Sequence, residues 1–239
     1  MRNTKKLFYI VAIIAAMFTK SLNAQNVRVF LKDGTSQTFL SADVDSVVFD
    51  ADDKFYPTAV DLGLSVKWAA CNLGAEQPQE AGEYYSWGET TTKEQYSKTT
   101  YFDPEYKYYS ENNDTCFAGK EKYDAATAAW GSEWRMPTTE EYQELITKCK
   151  WKSIRYKGYN GYRITGPNGN QIFLPAAGNR NGKYLSDSQN TGYYWTSCLS
   201  PEFDEPAYMM CFSTSDKEVR LNYKYLGCSI RPVKDYDKK

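Results

Sequence analysis

The sequence predicts an α+β protein, two helices packed on mainly antiparallel sheets, with a small β-hairpin unit ahead of them. Three observations carry this. Two helix-type segments lie together mid-chain, "KYDAATAAWG" (122–131) and "TEEYQELITKC" (139–149). Short β-type runs follow them in succession: "WKSIRYK" (151–157), "GYRITG" (161–166), "QIFLP" (171–175), "GYYWTSCL" (192–199), "AYMMCFS" (207–213), "VRLNYK" (219–224) and "CSIRPV" (228–233). Helices grouped apart from successive strands indicate α+β rather than an alternating βαβ chain. Lastly, "VRVFLKDGTSQTFLSADVDSVVFD" (27–50) alternates apolar and polar residues around Asp33-Gly34, a strong hairpin signal.

The first 24 residues are expected to lie outside the fold. Arg2, Lys5 and Lys6 precede an apolar run from Leu7 to Phe18, and Ser21-Leu22-Asn23-Ala24 ends in a small residue. That order is that of a secretory signal peptide, and the run is too short to span a bilayer. A short retained anchor is the weaker reading. Export implies a periplasmic, cell-surface or secreted protein. Of 29 basic residues the signal takes four and no acidic one, so the mature balance is 25 basic against 30 acidic, a net of −5. A mildly acidic chain without a basic run has no electrostatic reason to bind nucleic acid. No later apolar stretch is long enough for a membrane span.

The expected organisation is a signal peptide (1–24), a small β unit (25–50) with Val47-Val48-Phe49 as its third strand, and a linker (51–57). A main domain (58–234) and a short tail (235–239) follow. The β unit is too small to hold a core alone. In the main domain, "AVDLGLSVKWAACNLG" (59–74) reads as a strand and "AGEYYSWGE" (81–89) as an aromatic stretch. Residues 90–115 are polar, tyrosine-rich and without helical period, which predicts a long surface excursion. They include an Asn113-Asp114-Thr115 sequon, relevant only in a glycosylating host. Asn168-Gly169 is a type I′ hairpin candidate.

The stretch "GSEWRMPTTEEYQEL" (131–145) resembles catalytic material because it is rich in charge. Physical reading favours scaffold. Pro137 cannot continue a strand ladder, and Thr138 with Glu141 fits a Thr-x-x-Glu capping box. Tyr142, Leu145, Ile146 and Cys149 fall at i, i+3, i+4 and i+7, one apolar face that brings Cys149 to the core side. Glu140, Glu141 and Glu144 suit the positive end of the helix dipole or its solvent face. Arg135 is placed to pair with a carboxylate beneath the helix.

The chain has no histidine, which removes Ser-His-Asp and Cys-His nucleophile systems and imidazole zinc sites. Six cysteines, at 71, 116, 149, 198, 211 and 228, lack a Cys-x-x-Cys spacing. In an exported chain they predict structural bridges, with most of them disulfide-bonded. Cys198 and Cys211 lie on consecutive predicted strands, where a cross-hairpin bridge is geometrically reasonable. Glu202, Asp204 and Glu205 cluster in "SPEFDEPAY" and can be read as calcium ligands, although a solvated acidic turn is the commoner explanation. No other cofactor is indicated. Twenty-one tyrosines, many beside Gly and Asn in "YKGYNGY" and "NTGYYW", suit either a contact surface or the cover of sheet faces.

"YDAATAAWGSEWRMPTTEEYQEL" resembles the Trp-Arg-Met/Leu-Pro-Thr block of the Fibrobacter succinogenes major paralogous domain family. "VDLGLSVKWAACNLGAEQPQEAGEYYSWGET", "YRITGPNGNQIFLPAAGNRNG", "GYYWTS" and "GCSIRPV" resemble its other blocks in order, over residues 58–234. More distantly the chain is similar to formylglycine-generating sulfatase-modifying proteins. The N-terminal hairpin resembles short modules on exported proteins of Bacteroidota-like bacteria. The resemblance implies a C-type-lectin-like fold with paired terminal strands, and no known activity. The oxidase role does not carry over, because the closely spaced cysteine pair it needs is missing here. Nor does "VRLNYK" contain the Asn-Asp pair of calcium-dependent lectins. Within the implied fold, the loop region after "LPAAG" is the expected ligand surface, nominating Asn179, Arg180, Asn181, Tyr184, Tyr193 and Trp195. The expected function is a non-catalytic binding or adhesion-type domain for an extracellular protein or glycan. An enzyme working through carboxylates or tyrosine, and a subunit of a surface appendage, are the alternatives.

Overall fold

The computed structural model describes residues 26–30, 36–40, 57–102, 115–200 and 206–237. The chain divides into two units between residues 54 and 55. In the first, β1 (Asn26–Phe30) and β2 (Ser36–Leu40) pair antiparallel, with Phe30 opposite Ser36, the hairpin pairing that the alternation predicts; the Asp33-Gly34 pair itself lies outside the described residues. The expected signal peptide, the Val47–Phe49 strand, the sequon and nearly all of the linker lie outside the described residues.

The second unit is α+β with antiparallel sheets. Its first strands, β3 (Ala59–Asp61) and β4 (Lys67–Ala69), are joined by β13 (Val233–Lys234) from the other end of the unit, in the order β13-β4-β3. The single strand expected over 59–74 is therefore two short strands, broken at Leu62–Val66, where Gly63 takes a φ of +73°. Two further sheets follow. One contains β5 (Lys150–Tyr156), β6 (Tyr159–Thr165) and β7 (Gln171–Pro175). The other contains β10 (Gly192–Leu199), β11 (Pro206–Phe212) and β12 (Lys217–Tyr223). Between them, β8 (Asn179–Asn181) and β9 (Tyr184–Ser186) form a small hairpin. Of the run 228–233, only Val233 enters a regular strand; Cys228 and Ser229 make isolated bridges to Tyr85 and Tyr194.

The hairpin turns differ from expectation in an instructive way. The type I′ turn is at Lys157-Gly158, which join β5 to β6 with φ of 46° and 90° at both central positions. At Asn168-Gly169 only the glycine has a positive φ, 89°, and its N–H donates to the Gly166 carbonyl. That is a type I turn closed by a left-handed glycine, the three-residue loop with a bulge. Pro167 explains it, since its fixed φ near −65° suits the first central position of a type I turn.

The helices are α1 (Ala125–Trp130) and α2 (Thr139–Lys148). α1 starts at Asp124, a residue sequence reading passed over. Its buried carboxylate accepts the N–H groups of Ala126 and Thr127 in the first turn, and those of Gly119 and Met136 from flanking loops. α2 begins at the predicted capping box: Thr138 Oγ1 accepts from the Glu141 N–H at 3.3 Å, and Glu141 Oε2 accepts from the Thr138 N–H at 2.8 Å. Glu141 also receives both Nη groups of Arg135, at 2.9 and 2.5 Å, and Arg135 Nη2 reaches Asp235 at 2.6 Å. A charged stretch that resembled catalytic material is thus consumed in starting a helix and tying it to the C-terminal segment. Tyr142 and Leu145 are buried, and Ile146 and Cys149 pack at the edge of the same core.

Glu144, on the other flank of α2, accepts from the Ser65 N–H at 2.9 Å, the Ser65 hydroxyl at 2.5 Å and Lys148 Nζ at 2.8 Å. Burial pushes its pKa up, but the Lys148 and Ser65 hydrogen bonds outweigh it and hold the carboxyl below the ordinary glutamate value. A depressed folded-state pKa contributes stability that is full above the unfolded value and is lost as pH falls through the folded one. Acid titration of Glu144→Gln should therefore show a smaller loss of stability below about pH 4.5 than the parent. Parallel acid-unfolding curves would show that Glu144 contributes nothing to this pH dependence.

β10 and β11 separate two cores. Trp195 and Met209 face one, with Leu73, Trp87, Phe117, Met136 and Ile230; Tyr194 and Met210 face the other, with Trp68, Tyr142, Leu145, Ile164 and Leu174. Successive side chains of a strand point to opposite faces, so a strand buried on both faces reads as the continuous apolar runs "YYW" and "MMCF". Among the described residues no helix is long and apolar enough to cross a membrane.

Three sequence expectations are corrected by this packing. Cys198 bonds not to Cys211 but to Cys116, directly opposite it in an isolated antiparallel bridge with Cα atoms 4.0 Å apart. Four cysteines, Cys71, Cys149, Cys211 and Cys228, are free, so most are not bridged. The reason is register: β11 places Cys211 opposite Tyr193, five residues from Cys198 along β10. The excursion over 90–115 is also less superficial than expected, because Tyr96 is fully buried and donates its hydroxyl proton to the Tyr84 carbonyl.

Candidate functional site

The six nominated surface residues separate by burial. Trp195 is completely buried, its indole N–H donating to the Tyr85 carbonyl at 2.8 Å, so it cannot meet a ligand. β10 has a neighbour on each side, β11 and the Cys228–Ile230 segment, and its alternation turns Trp195 into the first core. Asn179 is buried at the root of the β8–β9 hairpin. Arg180 is half-buried with its guanidinium 5.1 Å from the Tyr84 ring centre, a cation–π contact that fixes it against the domain. These three are structural.

Asn181 and Tyr184 remain at the surface and pair across the hairpin. Tyr184 is 79% exposed and its neighbour Leu185 44%. The backbone beneath them is held at three points. The Gly178 N–H donates to the Thr191 carbonyl at 2.8 Å, and Arg180 and Gly227 exchange both hydrogen bonds at 2.7 and 3.0 Å. Gly182 and Tyr96 likewise exchange bonds at 2.7 and 2.9 Å. A backbone fixed in this way would lose little conformational entropy in any contact made by the exposed tyrosine and leucine.

Tyr193 stands nearby in the chain, half-buried, its hydroxyl donating to Asp187 at 3.0 Å with the Arg220 guanidinium 5.8 Å from its ring. Burial, then the Asp187 bond, pushes its pKa up to about 12, so it stays a neutral donor. Asp187 and Arg220 were not legible as site residues. The only sequence signal was the turn-rich "SDSQNTG" at 186–192.

The tyrosines divide between the two uses open to them. Tyr84, Tyr85, Tyr96, Tyr123, Tyr142, Tyr162 and Tyr194 are buried, whereas Tyr159, Tyr184, Tyr223 and Tyr236 are exposed. The acidic residues that are buried have structural work: Asp124 caps α1, and Glu141 caps α2 and pairs with Arg135. Among the described residues no three histidine, cysteine or carboxylate groups are disposed to share a metal ion. The calcium candidates Glu202, Asp204 and Glu205 lie outside the described residues. Compared with protein-family models, curated proteins and solved structures, the chain finds no match in any of the three.

Proposed function

We propose that this chain is an exported, non-catalytic binding domain that engages an extracellular protein through the β8–β9 hairpin. We further assign it to the C-type-lectin-like fold and the Fibrobacter succinogenes major paralogous domain family. The exposed Tyr184–Leu185 pair on a backbone tied at three points carries the functional reading. Large apolar groups presented rigidly to solvent are the usual anchors of protein contact. The fold assignment is supported by the pairing of β13 with β4, by two helices beside antiparallel sheets, and by the family-type sequence blocks in order.

The test is an array of purified extracellular and matrix proteins probed with the parent and with Tyr184→Ala/Leu185→Ser. Both side chains are exposed and β9 is a short edge strand, so the double variant should melt within a few degrees of the parent. Binding weakened tenfold or more supports the reading, since anchor residues each contribute about 2 kcal/mol or more. Undiminished binding by the variant rejects this surface.

A further inference from the structure

A recess of about 610 Å3 lies between the β5–β6 hairpin, the 187–191 loop and the turn after β11. Its lining is chemically uneven. Ser153, Asn160, Gln189, Asn190, Thr191 and Thr214 supply neutral amides and hydroxyls, the buried Tyr162 and Phe212 form its floor, and Arg155 is the one charged residue among the described residues that line it. Among the described residues no carboxylate lines it.

The loop forming one wall is held in a costly conformation. Asp187 and Gln189 both have left-handed φ, 57° and 68°, without being glycine. Such residues persist only where their surroundings over-determine them, and they cluster at sites of function. Here the surroundings are visible. The Gln189 N–H donates to the Ala176 carbonyl at 2.7 Å, and the Asn190 and Thr191 N–H groups both donate to the Asp187 carbonyl at 3.0 Å. Asn160 donates its backbone N–H to Gln189 Oε1 at 2.7 Å and its side-chain amide to the Gln189 carbonyl at 3.0 Å. This leaves the Gln189 amide nitrogen and the Asn160 amide oxygen unspent. The side chains of Ser153, Asn190, Thr191 and Thr214 likewise have no hydrogen-bond partner among the described residues.

A recess of unspent neutral donors and acceptors, with one cation, matches a ligand carrying many hydroxyls and no charge. From this we infer that the cleft binds a neutral saccharide, a site distinct from the Tyr184 hairpin. The inference rests on the binding-domain reading, but not on the hairpin's partner. A peptide is less well served, because it is recognised chiefly by strand-edge backbone or charged pockets. The cleft offers side-chain amides and hydroxyls instead.

Affinity electrophoresis through gels containing a soluble neutral β-glucan, xylan or mannan, with polygalacturonate as the acidic control, tests it. The parent should be retarded by at least one neutral polymer. Asn190→Ala/Thr214→Ala should weaken that retardation about tenfold, as loss of two hydrogen bonds would. Ser153→Trp, which fills the cleft from an exposed strand position, should abolish it. Tyr184→Ala/Leu185→Ser should retain it, which separates failure here from failure of the hairpin reading. The inference is overturned if no neutral polymer retards the parent, if only polygalacturonate does, or if both cleft variants are retarded like the parent.

Discussion

Replacing Arg231 by methionine is expected to destabilise the main domain more than any surface change. Arg231 is completely buried, and among the described residues it hydrogen-bonds no carboxylate. Its Nε donates to Asn72 Oδ1 at 2.8 Å, Nη1 to the Ala69 carbonyl at 3.0 Å and Nη2 to the Phe173 carbonyl at 2.9 Å. Asn72 in turn donates to the Ala81 carbonyl at 2.9 Å, and Tyr194 donates beside it to the Pro175 carbonyl at 2.7 Å. One guanidinium therefore joins the end of β4 to β7. Burial lowers its pKa, yet an arginine remains charged, and the planar fork spreads that charge over three neutral acceptors. Methionine fills similar volume but strands those acceptors, at roughly 1–3 kcal/mol each. Removing a buried charge returns part of this, so a net loss of about 3–5 kcal/mol is expected. For a domain of this size that lowers the melting temperature by about 10 °C. Arg231→Lys should not rescue it, because one ammonium cannot reach three divergent acceptors. A methionine variant melting within 2 °C of the parent would show that the guanidinium contributes only its bulk.

The second large effect is expected from the disulfide. Cys116 and Cys198 are 82 residues apart, so their bond removes much of the freedom of the unfolded chain. Replacing both by serine should cost about 2–4 kcal/mol. The pairing itself has a sharper signature. Denatured but unreduced protein should titrate four thiols and reduced protein six, with peptide mapping placing the bridge between Cys116 and Cys198. In the folded state the free thiols should react slowly. Burial pushes Cys211 and Cys149 up to about 11 and Cys228 well above the ordinary thiol value. At neutral pH they hold little of the reactive thiolate. Two titratable thiols in the denatured, unreduced protein, or a Cys198–Cys211 peptide, would refute the pairing.

Legibility in the sequence followed the range of the interactions involved. The capping box, the apolar face of α2, the β1–β2 hairpin and strands β5 to β7 and β10 to β12 follow patterns set within a few residues, where periodicity and turn chemistry act directly. The short β8 and β9 carried no such pattern. The pairing of Cys198 was not legible, because it depends on which strand lies opposite in space. Nor was the burial of Trp195, since "GYYWTSCL" reads alike whether Tyr194 or Trp195 meets solvent. Only neighbours on both edges and a core on both faces of β10 decide that neither does. The unspent amides around Gln189 were equally hidden, as the β5–β6 hairpin, the 187–191 loop and the turn after β11 meet there.

By itself the sequence determined the α+β class, the antiparallel character of the strands and the structural role of Arg135, Thr138 and Glu141. It also left the usual histidine-dependent nucleophile chemistries without their base. These follow from composition and local periodicity. The tertiary structure alone decided which tyrosines meet solvent, which cysteines meet each other, and that Arg231 ties two sheets together. It also brought a neutral polar recess together from distant segments. Burial and register are properties of chain segments that find one another only on folding, and no local pattern of residues encodes them.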